Sequence, residues 1–253
     1  MHQEAEESIR KVETDDELQG YLLPYHWFLP KESIWTSIHD AYVSRVVRLV
    51  VESGAKRVLE VGCGDGWNCG QLVKAGLEVT GIDWSANGID HARRLVPQGS
   101  FFCGDLIDSD FKAQFPEPFD AVILVEVLEH IPPEECALAL RNITASLKPG
   151  GSFVLTTPSV NFPNTNPRHF RHFTPAMLED LAQHAGELRV KHIEGYGDMR
   201  HLKVYEQLLP LVNNRLYSIK PLRRRLQNYV RQRAERTTID RCCGLIAVME
   251  KKS

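Results

Sequence analysis

Residues 58–66 read Val-Leu-Glu-Val-Gly-Cys-Gly-Asp-Gly, an apolar run followed by three glycines at alternate positions. The run predicts a buried strand, and the residues that follow have the apolar spacing of a helix. Glycines between a strand and a helix let the backbone approach a ligand, and the start of the helix offers N–H groups without intrahelical partners. The stretch therefore indicates a nucleotide-type site, although a tight turn without a ligand has the same pattern.

The chain around this loop alternates short apolar runs with helical patterns, which predicts a doubly wound α/β fold with a mostly parallel, seven-stranded sheet. The predicted strands are 57–61, 78–82, 100–103, 120–125, 152–156, 188–193 and 244–249. The predicted helices are 35–51, 68–75, 86–95, 133–147, 176–184, 202–212 and 221–234, and Thr174 is the expected N-cap of the fifth.

The composition is that of an ordinary globular protein: of 253 residues, 43% are hydrophobic and 25% charged, with a net charge of −3. This excludes disordered, collagen-like and coiled-coil classes, and the apolar runs are shorter than the roughly 20 residues of a membrane span. The acidic N-terminus lacks the order of a signal peptide. Six cysteines without a Cys-x-x-Cys pair predict buried thiols and a cytoplasmic protein.

Four segments follow from these patterns. Residues 1–52 combine an acidic tail, an aromatic lid at 25–28 and a packing helix. Residues 53–195 form the core, 196–241 a basic helical insertion, and 242–253 the last strand.

Two acids follow the glycine loop at the ends of successive predicted strands: Asp83, within Gly-Ile-Asp-Trp-Ser, and Asp105, within Gly-Asp-Leu. In a doubly wound sheet these strand ends share one crevice with the glycine loop, and an acid about 20 residues after the loop is suited to bind a ribose diol. A nicotinamide dinucleotide fits less well, because the third glycine, Gly66, comes one residue too early for Gly-x-Gly-x-x-Gly.

With these motifs, and with Phe-Asp-Ala-Val at 119–122 and Leu-Lys-Pro-Gly-Gly at 147–151, the sequence resembles the class I S-adenosylmethionine-dependent methyltransferases over about 58–181. The resemblance implies S-adenosylmethionine as the cofactor. It implies that Glu60 and the loop from Gly62 to Gly64 surround the methionine part. It further implies that Asp83 binds the ribose, Trp84 flanks the adenine, and Asp105, with Leu106 beside it, binds the adenine amino group.

After the fourth predicted strand, residues 125–133 read Val-Glu-Val-Leu-Glu-His-Ile-Pro-Pro. If 126–130 form a helical turn, Glu126, Glu129 and His130 share one face at the crevice. His169, after the fifth strand, reaches the same rim. Two oxygen and two nitrogen ligands suit Mg²⁺ or Mn²⁺ with positions left for substrate. His130 acting alone as a general base, or a purely structural cluster, stay open.

The Glu-x-x-Glu-His run resembles O-methyltransferases of ubiquinone biosynthesis and sugar modification. It also resembles enzymes that methylate the 2′-hydroxyl at the 3′ end of small RNAs, in which two Glu and two His bind a divalent ion. An alcohol acceptor must lose a proton to a base or a metal-bound site, so clustered acids and histidines favour oxygen as the acceptor. We therefore expect methyl transfer to a hydroxyl of a small molecule or glycan, with His130 and His169 as catalytic residues. The alternatives are an RNA 3′-end 2′-O-methyltransferase and a non-catalytic, cofactor-binding partner subunit.

The segment 196–241 contains eleven Lys and Arg against four acids, a local charge of +7, whereas 1–20 contains seven acids against two bases. Arginines interleaved with apolar residues suit a membrane surface, a phosphate-bearing substrate, RNA, or only solvent. Few aromatic side chains are present to stack on bases, which makes nucleic acid the weaker choice. We expect this insertion to cap the acceptor site, with a membrane or phosphate contact through 215–236.

Overall fold

The computed structural model describes residues 21–29, 34–212, 218–235 and 237–253. Seven strands form one sheet in the order β3-β2-β1-β4-β5-β7-β6, in which only β7 runs antiparallel to its neighbours. The strands are β1 Arg57–Val61, β2 Glu78–Asp83, β3 Ser100–Cys103, β4 Phe119–Val125, β5 Leu147–Pro158, β6 Leu188–Asp198 and β7 Cys242–Lys251. The predicted doubly wound, mostly parallel seven-stranded α/β sheet is confirmed.

Eight α-helices are seen in the described ranges: α1 Tyr25–Phe28, α2 Ile34–Glu52, α3 Trp67–Lys74, α4 Ala86–Leu95, α5 Cys136–Ser146, α6 Pro175–Ala185, α7 Met199–Val212 and α8 Lys220–Ala234. Thr174 caps α6 as expected, because its side chain accepts from the N–H of Met177. The fourth predicted helix is shorter than 133–147. The Pro132 carbonyl accepts the N–H groups of Glu135 and Cys136, and this turn delays α5 to Cys136.

Alternate side chains of the central strands fill two cores, one on each face of the sheet. Val58 and Ile123 belong to the core beneath α2, α3 and α4, whereas Leu59 and Leu124 belong to the core beneath α5 and α6. All four are at most 1% exposed. Strands buried on both faces are typical of parallel sheets, and they leave the loops at the strand ends as the place for a site.

The core ends later than the predicted residue 195, because β6 pairs with β7 as far as Asp198 opposite Cys242. The insertion forms a helical hairpin of α7 and α8, and α8 packs on α2. All six cysteines are free thiols, and only Cys103 is exposed. In the described ranges, no helix combines the length and the apolar character needed to cross a membrane.

Candidate active site

The glycine loop leaves β1 at its carboxyl end. Gly62 has a φ of 74°, a left-handed conformation that favours glycine. A Cβ at this position would lie 2.3 Å from Cγ2 of Val127, so the loop and the segment after β4 are in close contact. The N–H groups of Gly62 and Cys63 both donate to the carbonyl of Ile82, which ties the loop to the end of β2.

A cavity of about 390 Å³ lies along the carboxyl ends of β1, β2 and β4. Five of the seven predicted cofactor residues line it: Gly62, Asp83, Trp84, Asp105 and Leu106. Cys63, Asp65, Asn68 and Ile107 add to this lining. Glu60 and Gly64 do not line it; Gly64 lies behind and donates its N–H to Asp83 Oδ2 over 2.8 Å. The residues present fit S-adenosylmethionine, since a carboxylate at the ribose position and the exposed side chain of Trp84 share the cavity.

Asp83 is held rigidly at the floor of the cavity. Its Oδ1 accepts the N–H of Ser85 over 2.8 Å, while Oδ2 accepts that of Gly64, and the residue is 4% exposed. Burial raises the pKa of Asp83 even though these two donors lower it. A further donor from a ligand would therefore stabilise the charged carboxylate.

Glu60 takes a different position from the one that the family resemblance implies. It is completely buried under the loop, where Oε1 accepts from Asn68 Nδ2 and Oε2 accepts from Cys69 Sγ, both over 2.9 Å. Burial raises the pKa of Glu60 to about 7. The carboxylate orients α3 and the loop from below and does not face the cavity, because both of its oxygens point to that helix.

The N-terminal segment closes over the loop through Asp65. His26 donates its N–H to Asp65 Oδ2 over 3.1 Å, and its Nδ1 lies 3.0 Å from Oδ1, while the indole of Trp27 donates to the Asp65 carbonyl. Tyr21 packs on the loop at Gly64. Of the predicted lid, Tyr25 and His26 line the cavity, Trp27 packs on Trp67, and Phe28 is 76% exposed.

Sequence reasoning assigned no role to Asp65, Tyr21 or Arg168, although all three line the cavity. Arg168 places its guanidinium 5.6 Å from the centre of the Trp84 ring. The only local sign of a role for Asp65 was that it is a second acid, after Glu60, in the stretch 58–66. Its partner His26 is 39 residues away, which no local pattern reports.

A second cavity of about 230 Å³ adjoins the first. Six residues line both: Tyr25, His26, His39, Tyr42, Glu126 and His130. The far end of the second cavity is formed by Leu29, Trp35, Ile38, Glu129, Pro158, Phe162, His169, Tyr196 and Cys243. A molecule bound in the first cavity and a molecule bound in the second would meet at the six residues that line both.

Of the described residues in the predicted insertion 196–241, Tyr196 on β6 lines the second cavity, but the two helices do not form the predicted cap. No described residue of α7 or α8 lines either cavity. The side chains that occupy this position come from α1 and α2, and α8 packs on α2 beside them. Part of the predicted contact segment 215–236 lies outside the described residues, namely 215–217 and 236.

Glu126 is separated from the other predicted metal ligands. Its φ of 54° is left-handed, so the short helical turn begins only at Leu128, and the expected shared face with Glu129 and His130 does not form. Glu126 Oε1 accepts from Thr156 Oγ1 over 2.7 Å and from the Tyr196 hydroxyl over 2.8 Å. A left-handed glutamate costs energy, and such strain is often found at functional sites.

Glu129, His130 and His169 do come together. One possible ligand atom of each lies within 4.8 Å of the others, and the two imidazole rings meet edge to face. Glu129 is 1% exposed, and its Oε2 accepts from Thr157 Oγ1 over 3.0 Å. The structure thus brings three of the four predicted ligands into one cluster.

The hydrogen bonds of His169 define its tautomer. Asn166 Oδ1 accepts the N–H of Arg168, so the amide must donate through Nδ2 to His169 Nε2, over 3.1 Å. His169 Nδ1 then donates to His172 Nε2 over 3.0 Å, and His172 Nδ1 donates to the carbonyl of Phe162. This series of hydrogen bonds orients His169 against His130.

His130 borders both cavities. Its Nδ1 is buried without a hydrogen-bond partner among the described residues. Burial, together with the charge of Arg168, lowers the pKa of His130 to about 4. The imidazole is therefore neutral at physiological pH.

The same cluster offers donor atoms for a divalent ion. Glu129 and His130 offer a carboxylate and an orphaned nitrogen, which are suitable donors. His169 can join only if Nε2 exchanges the Asn166 amide for the ion. A three-residue site is chemically reasonable, but Glu126 does not belong to it.

Comparison with known proteins places this site in context. A family model described as a methyltransferase domain matches residues 35–229. The ubiquinone biosynthesis O-methyltransferase of Chromobacterium violaceum is 27% identical over 208 residues, covering 72% of this chain and 86% of the relative. The protein of the same name from Coxiella burnetii is 34% identical over 111 residues, 42% of this chain and 45% of that one.

Among solved structures, a SAM-dependent methyltransferase from Archaeoglobus fulgidus superposes with a TM-score of 0.56 at 20% identity, over 83% of this chain and 94% of that one. At that identity the likeness concerns the fold. The family match extends over most of the chain and includes the glycine loop, the histidine cluster and most of the residues that line the two cavities. The chain belongs to the class I S-adenosylmethionine-dependent methyltransferases.

Proposed function

We propose that this methyltransferase transfers a methyl group to a hydroxyl oxygen of a small molecule or sugar bound in the second cavity. The observation that carries the proposal is the set of six residues shared by the two cavities, with His130 among them. Methyl transfer needs donor and acceptor in line, and two adjoining cavities favour that arrangement.

S-adenosylmethionine, when bound, supplies an electrophilic methyl group on a sulfonium. In our proposal Asp83 accepts the ribose hydroxyls, Trp84 covers one face of the adenine, and Asp105 and Leu106 border its edge. The segment at Tyr21, Tyr25 and His26 excludes water above the loop. Glu60 and Gly64 lie outside the cavity and support it: Glu60 accepts a hydrogen bond from α3, and Gly64 donates one to Asp83.

His130 takes the proton of the acceptor hydroxyl, because its orphaned Nδ1 belongs to a side chain that lines both cavities. His169 positions this ring by edge-to-face contact, and its own hydrogen bonds to Asn166 and His172 fix its orientation. Glu126, with one oxygen engaged by Thr156 and Tyr196, borders the path between the cavities.

The lining of the second cavity bears on the type of acceptor. Tyr25, Trp35, Tyr42, Phe162 and Tyr196 surround it with aromatic rings, which favours an acceptor that itself contains a flat or apolar ring. The two relatives are named ubiquinone biosynthesis O-methyltransferases, which agrees with such an acceptor. A small molecule is therefore our first choice, a sugar the second, and an RNA 3′ end the third.

The test is incubation of the protein with isotopically labelled cofactor and three separate pools: isoprenoid-quinone-like phenols, glycans and RNA. Mass spectrometry should find the label on an oxygen of a small molecule. Methylated RNA alone would replace the proposal with the 2′-O-methyltransferase alternative. Cofactor binding without turnover on any pool would favour the non-catalytic partner subunit.

His130→Ala should lower the rate by about 10²–10⁴-fold, as expected for loss of a general base. His169→Ala should cost less, with unchanged cofactor affinity. His184→Ala, at an exposed histidine of α6, is the matched control and should not change the rate. A His130→Ala variant with the full rate would reject the assignment.

A divalent ion is a second candidate for activating the hydroxyl, favoured by the approach of Glu129, His130 and His169. Mg²⁺ or Mn²⁺ bound there would lower the pKa of an acceptor hydroxyl. In that case a chelator abolishes turnover, added ion restores it, and Glu129→Gln lowers affinity for Mn²⁺ measured by calorimetry. Full activity in excess chelator, with no heat of Mn²⁺ binding, leaves His130 as the base.

A further inference from the structure

The hairpin of α7 and α8 exposes an apolar surface that the proposed reaction does not use. On α7, Tyr205, Leu209 and Val212 are buried against the core. The neighbouring positions on the helix surface are apolar as well but open to solvent. Val204, Leu208 and Leu211 are 39%, 41% and 64% exposed. Their spacing of four and three residues places them in one row along the helix.

The row continues onto the start of α8. Ile219 donates its N–H to the carbonyl of Val212 over 2.8 Å, which places it beside the end of α7. Ile219 and Leu222 are 45% and 44% exposed. Together, Val204, Leu208, Leu211, Ile219 and Leu222 make up what we call the apolar stripe.

Basic side chains flank the apolar stripe. Lys220, Arg224 and Arg225 are exposed in the first turns of α8, and Arg223 is partly buried. Neither Arg224 nor Arg225 forms an ion pair with a residue in the described part of the chain. The carboxylate of Glu235, at the far end of α8, pairs with Arg48. Lys220, Arg224 and Arg225 therefore place positive charge at the start of α8, next to the apolar stripe.

We propose that the apolar stripe and these cations dock the protein on the surface of a bilayer that contains anionic lipids. The exposed leucines and Ile219 enter the boundary between headgroups and acyl chains, and the arginines and Lys220 lie at the phosphates. An exposed apolar row bordered by exposed cations is the pattern of helices that lie in the membrane interface.

Two other occupants explain the surface less well. RNA binding without sequence preference uses exposed aromatic rings that stack on bases. On this hairpin, the described aromatic side chains face inward: Tyr205 is 1% exposed and the Tyr229 hydroxyl lies 2.8 Å from His201 Nδ1. A second copy of the chain, related by a two-fold axis, would place the same arginines against each other.

The hairpin lies near the active site, because it is inserted at the edge of the sheet that carries both cavities. Because β7 runs antiparallel to both β5 and β6, β6 runs parallel to β5 and ends at the edge that carries both cavities. The chain leaves this edge at Asp198 and returns to it at Cys242. A helix of 14 residues spans about 21 Å, so the docked hairpin keeps the cavities within one helix length of the bilayer.

The test is co-sedimentation of the full chain with phosphatidylcholine vesicles, with and without phosphatidylglycerol. Binding should require phosphatidylglycerol and should weaken as salt is added. The double variant Arg224→Glu and Arg225→Glu should lower the partition coefficient by about 25-fold or more, because each arginine lost costs about fivefold. Leu208→Ser with Leu211→Ser should lower it by about ten- to hundredfold, through lost apolar burial.

The matched control is Arg94→Glu with Arg141→Glu, which makes the same change of charge at exposed arginines on α4 and α5. It should bind vesicles nearly as well as the wild type, and circular dichroism should show that all variants fold. Equal losses in the control and in the hairpin variants, or no binding to phosphatidylglycerol vesicles, would overturn the proposal. So would a dimer in ultracentrifugation that Leu208→Ser with Leu211→Ser dissociates, or retarded oligonucleotide RNA with no vesicle binding.

Discussion

The buried carboxyl group of Glu60 makes a quantitative prediction about stability. In the folded protein its pKa is raised to about 7, against an ordinary value of 4.5, because it is completely buried. Below pH 4.5 the group is protonated in both the folded and unfolded states. Between pH 4.5 and 7 the unfolded chain ionises first, so stability falls as the pH rises. Above pH 7 the cost is complete, at about 3 kcal/mol.

Glu60→Gln removes this titration and can keep the hydrogen bond from Asn68 Nδ2 to a side-chain oxygen. We expect the variant to lose the pH dependence due to this group, and at pH 8 to exceed the wild type in free energy of unfolding by up to about 3 kcal/mol. Denaturant titrations at several values between pH 5 and 8 measure the difference. Glu179→Gln, at an exposed glutamate of α6, is the matched control and should follow the wild type.

The same variant separates two roles for Glu60. If the carboxylate only supports α3 and the loop, cofactor affinity measured by calorimetry should change by less than about threefold. A direct contact with the methionine part would cost about tenfold or more, as for a hydrogen bond to a charged group. Parallel stability curves for wild type and Glu60→Gln would refute the buried titration, and a large loss of affinity in a stable variant would refute the position behind the cavity.

Three further changes test other parts of the structure. Asp83→Ala should weaken cofactor binding by roughly 1.5–3 kcal/mol in calorimetry, while Asp90→Ala, at an exposed acid on α4, should not; equal affinities would reject the ribose assignment. Gly62→Ala should destabilise the protein by about 1–3 kcal/mol in thermal or denaturant unfolding, because of its positive φ and the contact with Val127, and an unchanged free energy would contradict the loop geometry. Asp120 is desolvated, but backbone N–H groups of Arg57 and Lys56 and the Lys148 ammonium lower its pKa to about 2. Asp120→Asn should therefore lower the free energy of unfolding by about 2 kcal/mol at neutral pH. That difference should vanish as the pH falls from about 4 to 2, and a difference that persists at pH 2 would show that it has another origin.

The strands could be predicted from sequence because their signal is local. The predicted ranges for β1 and β3 match the structure, since a buried strand between turn residues has a recognisable run and limits. The cofactor acids were found for the same reason: Asp83 ends β2, Asp105 follows β3 within two residues, and both line the cavity. The apolar periodicity of a strand and the position of its end are both set by residues that are neighbours in the sequence, so both can be predicted from it.

The rest of the site depends on contacts between distant residues or on single backbone angles. A helical spacing was assumed for Glu126, and one left-handed residue was enough to move its carboxylate toward Thr156 and Tyr196. The helices of 196–241 were expected to cover the acceptor site, but the described side chains that cover one side of the second cavity come from residues 25–42. The apolar spacing of the insertion predicted its two helices well. Neither this spacing nor the charge of the insertion indicated which part of the protein the helices pack on.

The origin of the second cavity has a consequence for how acceptor preference could be exchanged between enzymes. Seven of its lining residues lie between Tyr25 and Tyr42, in one contiguous stretch, whereas the cofactor residues are scattered over separate strand ends. Under the proposed function, about half of the residues that contact the acceptor thus belong to one N-terminal segment, which contacts the rest of the protein through Asp65 and the packing of α2. Exchange of this one segment between related enzymes would therefore change much of the acceptor cavity while leaving the strand-end residues of the cofactor site in place.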